Sequence, residues 1–163
     1  MFDLKNHRVG IIGGSFDPIH LGHLVIAQDA VERLELDEVV FIPAAIPPHK
    51  QHLERVGAEH RLRMVELAIE GDLRFSVSDM ELVRGGVSYT IDTVQMLQES
   101  RPDVDWVLIV GSDTLVDLHN WHRIDDLLDL CTIASFLRPG ESSLDRIAEK
   151  IELPEHRKQQ VLA

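Results

Sequence analysis

A single cysteine, Cys131, stands in this 163-residue chain, which excludes an intrachain disulfide and fits a reducing compartment. Long hydrophobic runs are missing too, and no stretch approaches the ~20 apolar residues that span a bilayer. Residues 1–8 lack the apolar core of a signal peptide, so the expected location is the cytoplasm, with no membrane partner. Basic residues are scarce: 16 Lys and Arg face 28 Asp and Glu, a formal net charge of −12. A general nucleic-acid binder needs a basic face for phosphates, so the charge argues against that class and no nucleic-acid partner is expected. Small anionic ligands are not excluded, because a local field can oppose the net charge. Two common phosphate-binding patterns are also absent. There is no Gly-x-Gly-x-x-Gly, which argues against a dinucleotide-binding dehydrogenase, and no P-loop with its Gly-Lys-Ser/Thr.

What remains is an ordinary globular composition, 44% hydrophobic and 27% charged, long enough for one domain over 1–163. Apolar periodicity predicts strands at 8–13, 38–42, 73–78, 105–110 and 132–137, and helices at 21–34, 58–70, 90–100, 113–118, 124–130 and 143–151. In the first helix, Leu21, Leu24, Val25, Val31 and Leu34 return at helical spacing. Strands alternating with helices predict an α/β fold: a doubly wound, Rossmann-like parallel sheet with helices on both faces. Such sheets bind ligands beyond the carboxyl ends of their strands. Polar and glycine residues gather there, at 13–23, 43–50 and 111–113.

The segment after the first strand carries the chemistry. Gly13 and Gly14 let the backbone approach a ligand closely. Their amides, with the N-terminus of the next helix, suit an anion. His20 and His23 lie three residues apart, on one face of that helix, over the same place. Gly22 between them leaves room for a phosphate or a nucleobase. The imidazoles can donate hydrogen bonds to phosphoryl oxygens and, if protonated, neutralise charge at a reacting phosphorus. Taken alone, a double glycine marks a turn and a histidine is more often structural. Two histidines at this spacing could also hold a metal, but no third ligand is found and a helix N-terminus repels cations, so no protein metal site is expected. Further on, Lys50, Arg55, Arg61 and Arg63 form a basic island in an acidic chain. It reads either as a solvated face or as a surface turned toward phosphates.

Residues 13–23 resemble the signature of the nucleotidyltransferase superfamily that carries a His-x-Gly-His motif. Four more segments are similar to bacterial nicotinate-mononucleotide adenylyltransferases: 43–50, 60–64, 88–93, and 111–113 with 121–123. The resemblance implies transfer of AMP from ATP to nicotinate mononucleotide, giving nicotinate adenine dinucleotide and pyrophosphate. It implies that His20, His23 and Lys50 act on the phosphates, and that Gly13, Gly14, Ser15, Phe16, Gly111 and Asp113 contact ATP. It implies that Ser88, Tyr89, Thr90 and Trp121 hold the pyridine mononucleotide, with the Tyr89 and Thr90 backbone facing its carboxylate and Trp121 stacked on its ring. Helix capping is the plainer reading of Thr90 and Asp92, and both readings can hold together. With two Trp in the chain, Trp121, between Asn120 and His122, is less core-like than Trp106 in its apolar run. The segment 60–64 reads as mainly structural.

The implied mechanism needs no protein nucleophile, because the attacking phosphate is already ionised; Mg²⁺ would arrive with ATP. The family's C-terminal Ser-Ser/Thr-x-x-Ile-Arg segment is not found in place. Residues 141–147 look superficially like it but come early with Arg146 and Ile147 reversed, so Ser142 or Ser143 reads as a helix cap. The chain is then either truncated or short of part of its phosphate site. Two alternatives stand beside the main reading: a non-catalytic nucleotide-binding module, and another adenylyltransferase such as the phosphopantetheine enzyme. A homo-oligomer is left open.

Overall fold

A computed structural model describes residues 6–50, 52, 55–136, 151–158 and 160–162, without the side chains of Lys50 and Leu162. Six strands form one sheet: β1 (His7–Gly14), β2 (Glu38–Pro43), β3 (Phe75–Val77), β4 (Val104–Gly111), β5 (Thr132–Phe136) and β6 (Val161–Leu162). Their order is β3-β2-β1-β4-β5-β6, and every ladder is parallel. The helices are α1 (Leu21–Leu34), α2 (Ala58–Ile69), α3 (Met80–Arg84), α4 (Thr90–Ser100), α5 (Ser112–Leu115), α6 (Ile124–Leu130) and α7 (Glu155–Lys158). None is long and apolar enough to cross a membrane.

The pleat sorts side chains onto the two faces, because successive residues of a strand point oppositely. Val9, Ile11, Trp106, Leu108 and Val110 face one way and pack with Ile91, Val94 and Leu97 of α4 and Leu127 and Leu128 of α6. Ile12, Val107 and Ile109 face the other way, under Ala27, Ala30 and Val31 of α1 and Val65 and Ile69 of α2. Each such aliphatic side chain, fully buried, contributes about 1.5–3 kcal/mol. Both faces are covered, which makes the sheet doubly wound as expected.

Some expectations need correction. On α1, Val31 is buried and Leu24 and Leu34 pack against the core as expected, but Leu21 and Val25 are 78% and 57% exposed, and Ala27 and Ala30 complete the seam. Small residues there let the helix lie close to the sheet. The third strand is shorter than 73–78: the Asp72 carboxylate accepts the Arg74 N–H (3.0 Å), a local turn that holds Leu73 outside the ladder. The helix expected at 113–118 covers Ser112–Leu115 and is followed by a 3-10 turn, Leu118–Asn120. The helix at 143–151, with Ser142 and Ser143, lies outside the described residues except for buried Ile151.

Candidate active site

Ladder register opens the site. β1 stays paired with β2 through Gly14↔Pro43, and β4 stays paired with β5 through Gly111↔Phe136. The ladder between β1 and β4 ends earlier, at Ile11↔Leu108. Beyond that point the two central strands part, so a crevice lies between Gly13-Gly14 and Gly111. This is where the strand order reverses, the ligand position of open α/β sheets.

Gly13 borders that crevice. A Cβ built on it would meet nothing within 4 Å, so packing does not require a glycine there. Phe16 takes a left-handed backbone (φ 46°) and turns its ring inward, 2% exposed, against Phe41 and His23. Its ring thus supports the site from below, and only its backbone is placed to meet a ligand. The Asp17–Pro18 peptide is cis, and the loop then reaches His20, which caps α1.

The two imidazoles stack, centroids 3.8 Å apart and planes 30° from parallel. His23 Nδ1 accepts the His20 backbone N–H at 3.2 Å. That bond leaves Nε2 as the protonated, donating nitrogen of a neutral His23. The first turn of α1 holds no acidic residue, so its positive dipole end is not offset locally. A Cβ on Gly22 would come within 3.0 Å of the His20 ring. The space over Gly22 is therefore bordered by His20 itself, rather than left open for a nucleobase.

A chain of hydrogen bonds joins this loop to the next two. Ala44 N–H donates to Gly14 O (2.8 Å), Ala45 N–H to Ser88 Oγ (2.9 Å), and Ser88 N–H to Ile46 O (2.8 Å). Ser88 is buried, and its hydroxyl oxygen, accepting from the Ala45 amide, is a strut between loops. Tyr89 N–H is engaged by Val87 O at 3.1 Å. Tyr89 is the N-cap of α4, without a side-chain cap bond, so the capping reading of Thr90 and Asp92 does not hold. Thr90 opens the helix, where amides lack helical acceptors. Its N–H is thus better placed than that of Tyr89 to meet a carboxylate. The Tyr89 ring lies 4.4 Å from the His122 ring, bringing the Trp121 segment to the same side. Trp121 is only partly buried, whereas Trp106 is 2% exposed. Asp113, just past β4, is exposed across the crevice. Lys50 ends a 3-10 turn, and its side chain lies outside the described residues.

The basic island does not act as one phosphate-facing surface. Arg63 pairs outward with Glu66 (2.8 Å), while Arg61 turns inward and donates to Ser15 O (2.7 Å) and Val56 O (3.0 Å). The structural reading of 60–64 did not foresee these partners of Arg61, which recurs with Val65 and Ile69 at i, i+4 and i+8 on one helical face. Cys131 is no nucleophile: burial pushes its thiol up to about 12. Among the described residues, no group of three or more His, Cys, Asp or Glu could hold a metal ion.

A glycine-bearing loop, paired histidines at a helix N-terminus and a switch point between β1 and β4 mark a doubly wound α/β protein. The chain belongs to the cytidylyltransferase-like family, whose pattern matches residues 11–161. Within it, the chain is similar to proteins named probable nicotinate-nucleotide adenylyltransferase. The relative from Geobacillus thermodenitrificans is 46% identical over 135 residues, 83% of this chain and 62% of the relative. The relative from Shouchella clausii is 46% identical over 136 residues, 83% of this chain and 71% of the relative. The chain thus spans about three fifths of the length of the Geobacillus protein. Among solved structures, the nicotinic acid mononucleotide adenylyltransferase of Plasmodium falciparum, complexed with NaAD, superposes with a TM-score of 0.74 at 18% identity. That match covers 93% of this chain and 78% of the other, and at such identity it speaks for the fold.

Proposed function

We propose that this chain, as one domain over 1–163, transfers AMP from ATP to nicotinate mononucleotide, yielding nicotinate adenine dinucleotide and pyrophosphate in the cytoplasm. The observation that best supports this is the stacked His20–His23 pair at the mouth of the crevice between β1 and β4. The names of the relatives supply the pyridine substrate.

A 5′-phosphate oxygen of the mononucleotide attacks the α-phosphorus of ATP in line. The new P–O bond forms as the bond to the β-phosphate breaks, and pyrophosphate leaves with the electron pair. Catalysis then rests on positioning and on donors aimed at developing charge. His20 and His23 donate to the α-phosphate and the leaving group, with Lys50 neutralising charge nearby. Gly13, Gly14, Ser15 and Phe16 supply backbone contacts to ATP, and Gly111 and Asp113 line the opposite wall. Mg²⁺ would be held mainly by phosphate oxygens and water, screening the triphosphate charge. Ser88 shapes the pyridine pocket, Tyr89 and Thr90 border it, and Trp121 offers an aromatic face to an electron-poor ring.

The test is pyrophosphate release with ATP, Mg²⁺ and nicotinate mononucleotide, compared with His20→Ala. Release that requires the mononucleotide and falls about 10²–10³-fold in the variant is the expected result. ATP binding without release would favour a nucleotide-binding module. The Thr90 amide at the N-terminus of α4 favours an acid over an amide, so kcat/KM should be higher for nicotinate than for nicotinamide mononucleotide; the reverse order would sink that assignment.

A further inference from the structure

Arg61 sits on the buried face of α2 and is 2% exposed. Its Nε donates to Val56 O at 3.0 Å and one Nη to Ser15 O at 2.7 Å. Among the described residues it forms no ion pair. Burial lowers its pKa, the nearby Arg55 lowers it further, and Asp17 opposes them. Arginine nonetheless stays charged, and a buried charge without a carboxylate partner is costly. Hydrophobic packing alone would be served by an apolar residue, as it is at Val65 and Ile69 one and two turns on.

The site supplies a reason. The Ser15 carbonyl belongs to the loop that runs from Gly14 to His20. A second tie from the same segment reaches the same loop, as Val56 N–H donates to Asp17 Oδ2 at 3.1 Å. The guanidinium fork holds Ser15 and Val56 together, so the loop is fixed against the start of α2 from beneath.

We infer that Arg61 is a positioning residue for nucleotidyl transfer: its fork sets the loop that presents Ser15 and His20 to the ATP phosphates, and its unpaired charge makes that loop attractive to them. This rests on the reading of the site as an ATP site. Lysine keeps the charge but lacks the fork; methionine keeps neither.

The experiment compares the unaltered chain with Arg61→Lys, Arg61→Met and Ile69→Ala. The last variant removes buried volume from the same helix two turns from the loop. Calorimetric binding of Mg-ATP, pyrophosphate release with nicotinate mononucleotide, and thermal melts are measured for each. In Arg61→Met, turnover should fall about 10²-fold, mainly in kcat, because small displacements of reacting groups carry that penalty. Mg-ATP affinity should fall about tenfold, while Ile69→Ala lowers the melting temperature and keeps both. Arg61→Lys should recover affinity more than kcat. Equal losses in Arg61→Met and Ile69→Ala would overturn the inference, reducing Arg61 to a stability clamp. If Arg61→Met does not fold, Arg61→Lys decides, and unaltered kinetics in it would overturn the inference. If the unaltered chain binds no Mg-ATP, the site reading itself fails and the inference falls with it. If it binds but does not turn over, the affinity comparison still decides.

Discussion

The two ends of the sheet treat charge differently. At the amino end, charged groups meet opposites: Arg8 pairs with Asp105 at 3.0 Å, Arg101 with Glu38 at 3.4 Å, and His7 lies 3.4 Å from Asp37. At the carboxyl end, Arg61 finds only carbonyls, and His20 and His23 stack on each other and share a backbone amide. Neutralised pairs tie strands and helices together and leave little field. Arg61, bonded to carbonyls rather than to a carboxylate, keeps a charge that can act on the loop above it. The comparison separates charges neutralised within the fold from a charge left to act on the loop of the candidate site.

The sharpest way to test this contrast is His20→Ala. Turnover should fall about 10²–10³-fold while the melting temperature barely moves, because an exposed ring is removed from the ligand end. Gly13→Ala probes the same end without touching a charge. Nothing in the protein lies within 4 Å of the added methyl, so stability should hold or rise by about 0.4–1 kcal/mol. ATP affinity, by calorimetry, should drop about tenfold, or about 1.4 kcal/mol, as the methyl fills the crevice. Unchanged affinity would remove Gly13 from the site. Arg8→Ala is the opposite case at the amino end. It removes the Asp105 pair and a bond to the Leu34 carbonyl, so denaturant melts should show a loss of about 1–2 kcal/mol with kcat unchanged.

The smallest effect is expected at Asp72, beside the short β3. The Arg74 side chain and N–H bond to its carboxylate and lower its pKa from 3.8 to about 2. A depressed carboxylate pKa stabilises the fold above the unfolded value, and that contribution is lost as pH falls from about 4 through about 2. Asp72→Asn should therefore cost under ~1 kcal/mol near neutral pH, after solvent screening, and nothing at the lowest pH where melts can be read.

Legibility in the sequence followed the range of the forces involved. Helices at 21–34, 90–100 and 124–130 appear as their periodicity predicted. Short pieces carry no usable period, so α3, with five residues, and β6, with two, were not foreseen. The candidate site was legible where motif and local geometry coincide, at Gly13, Gly14, His20 and His23. Side-chain direction was not legible, because it depends on distant neighbours. Phe16 went into the core, the Ser88 hydroxyl went to the Ala45 amide, and Arg61 went under the loop.

By itself the sequence determined the alternation of strand and helix and the placing of two imidazoles at a helix start. Both depend on dihedral preferences and spacings within a few residues. Only the tertiary structure decided that β1 leaves β4 after Ile11 and stays with β2 to Gly14, and that separation opens the crevice. Ladder partners are chosen by contacts between segments nearly a hundred residues apart, and no local pattern encodes where such a ladder stops.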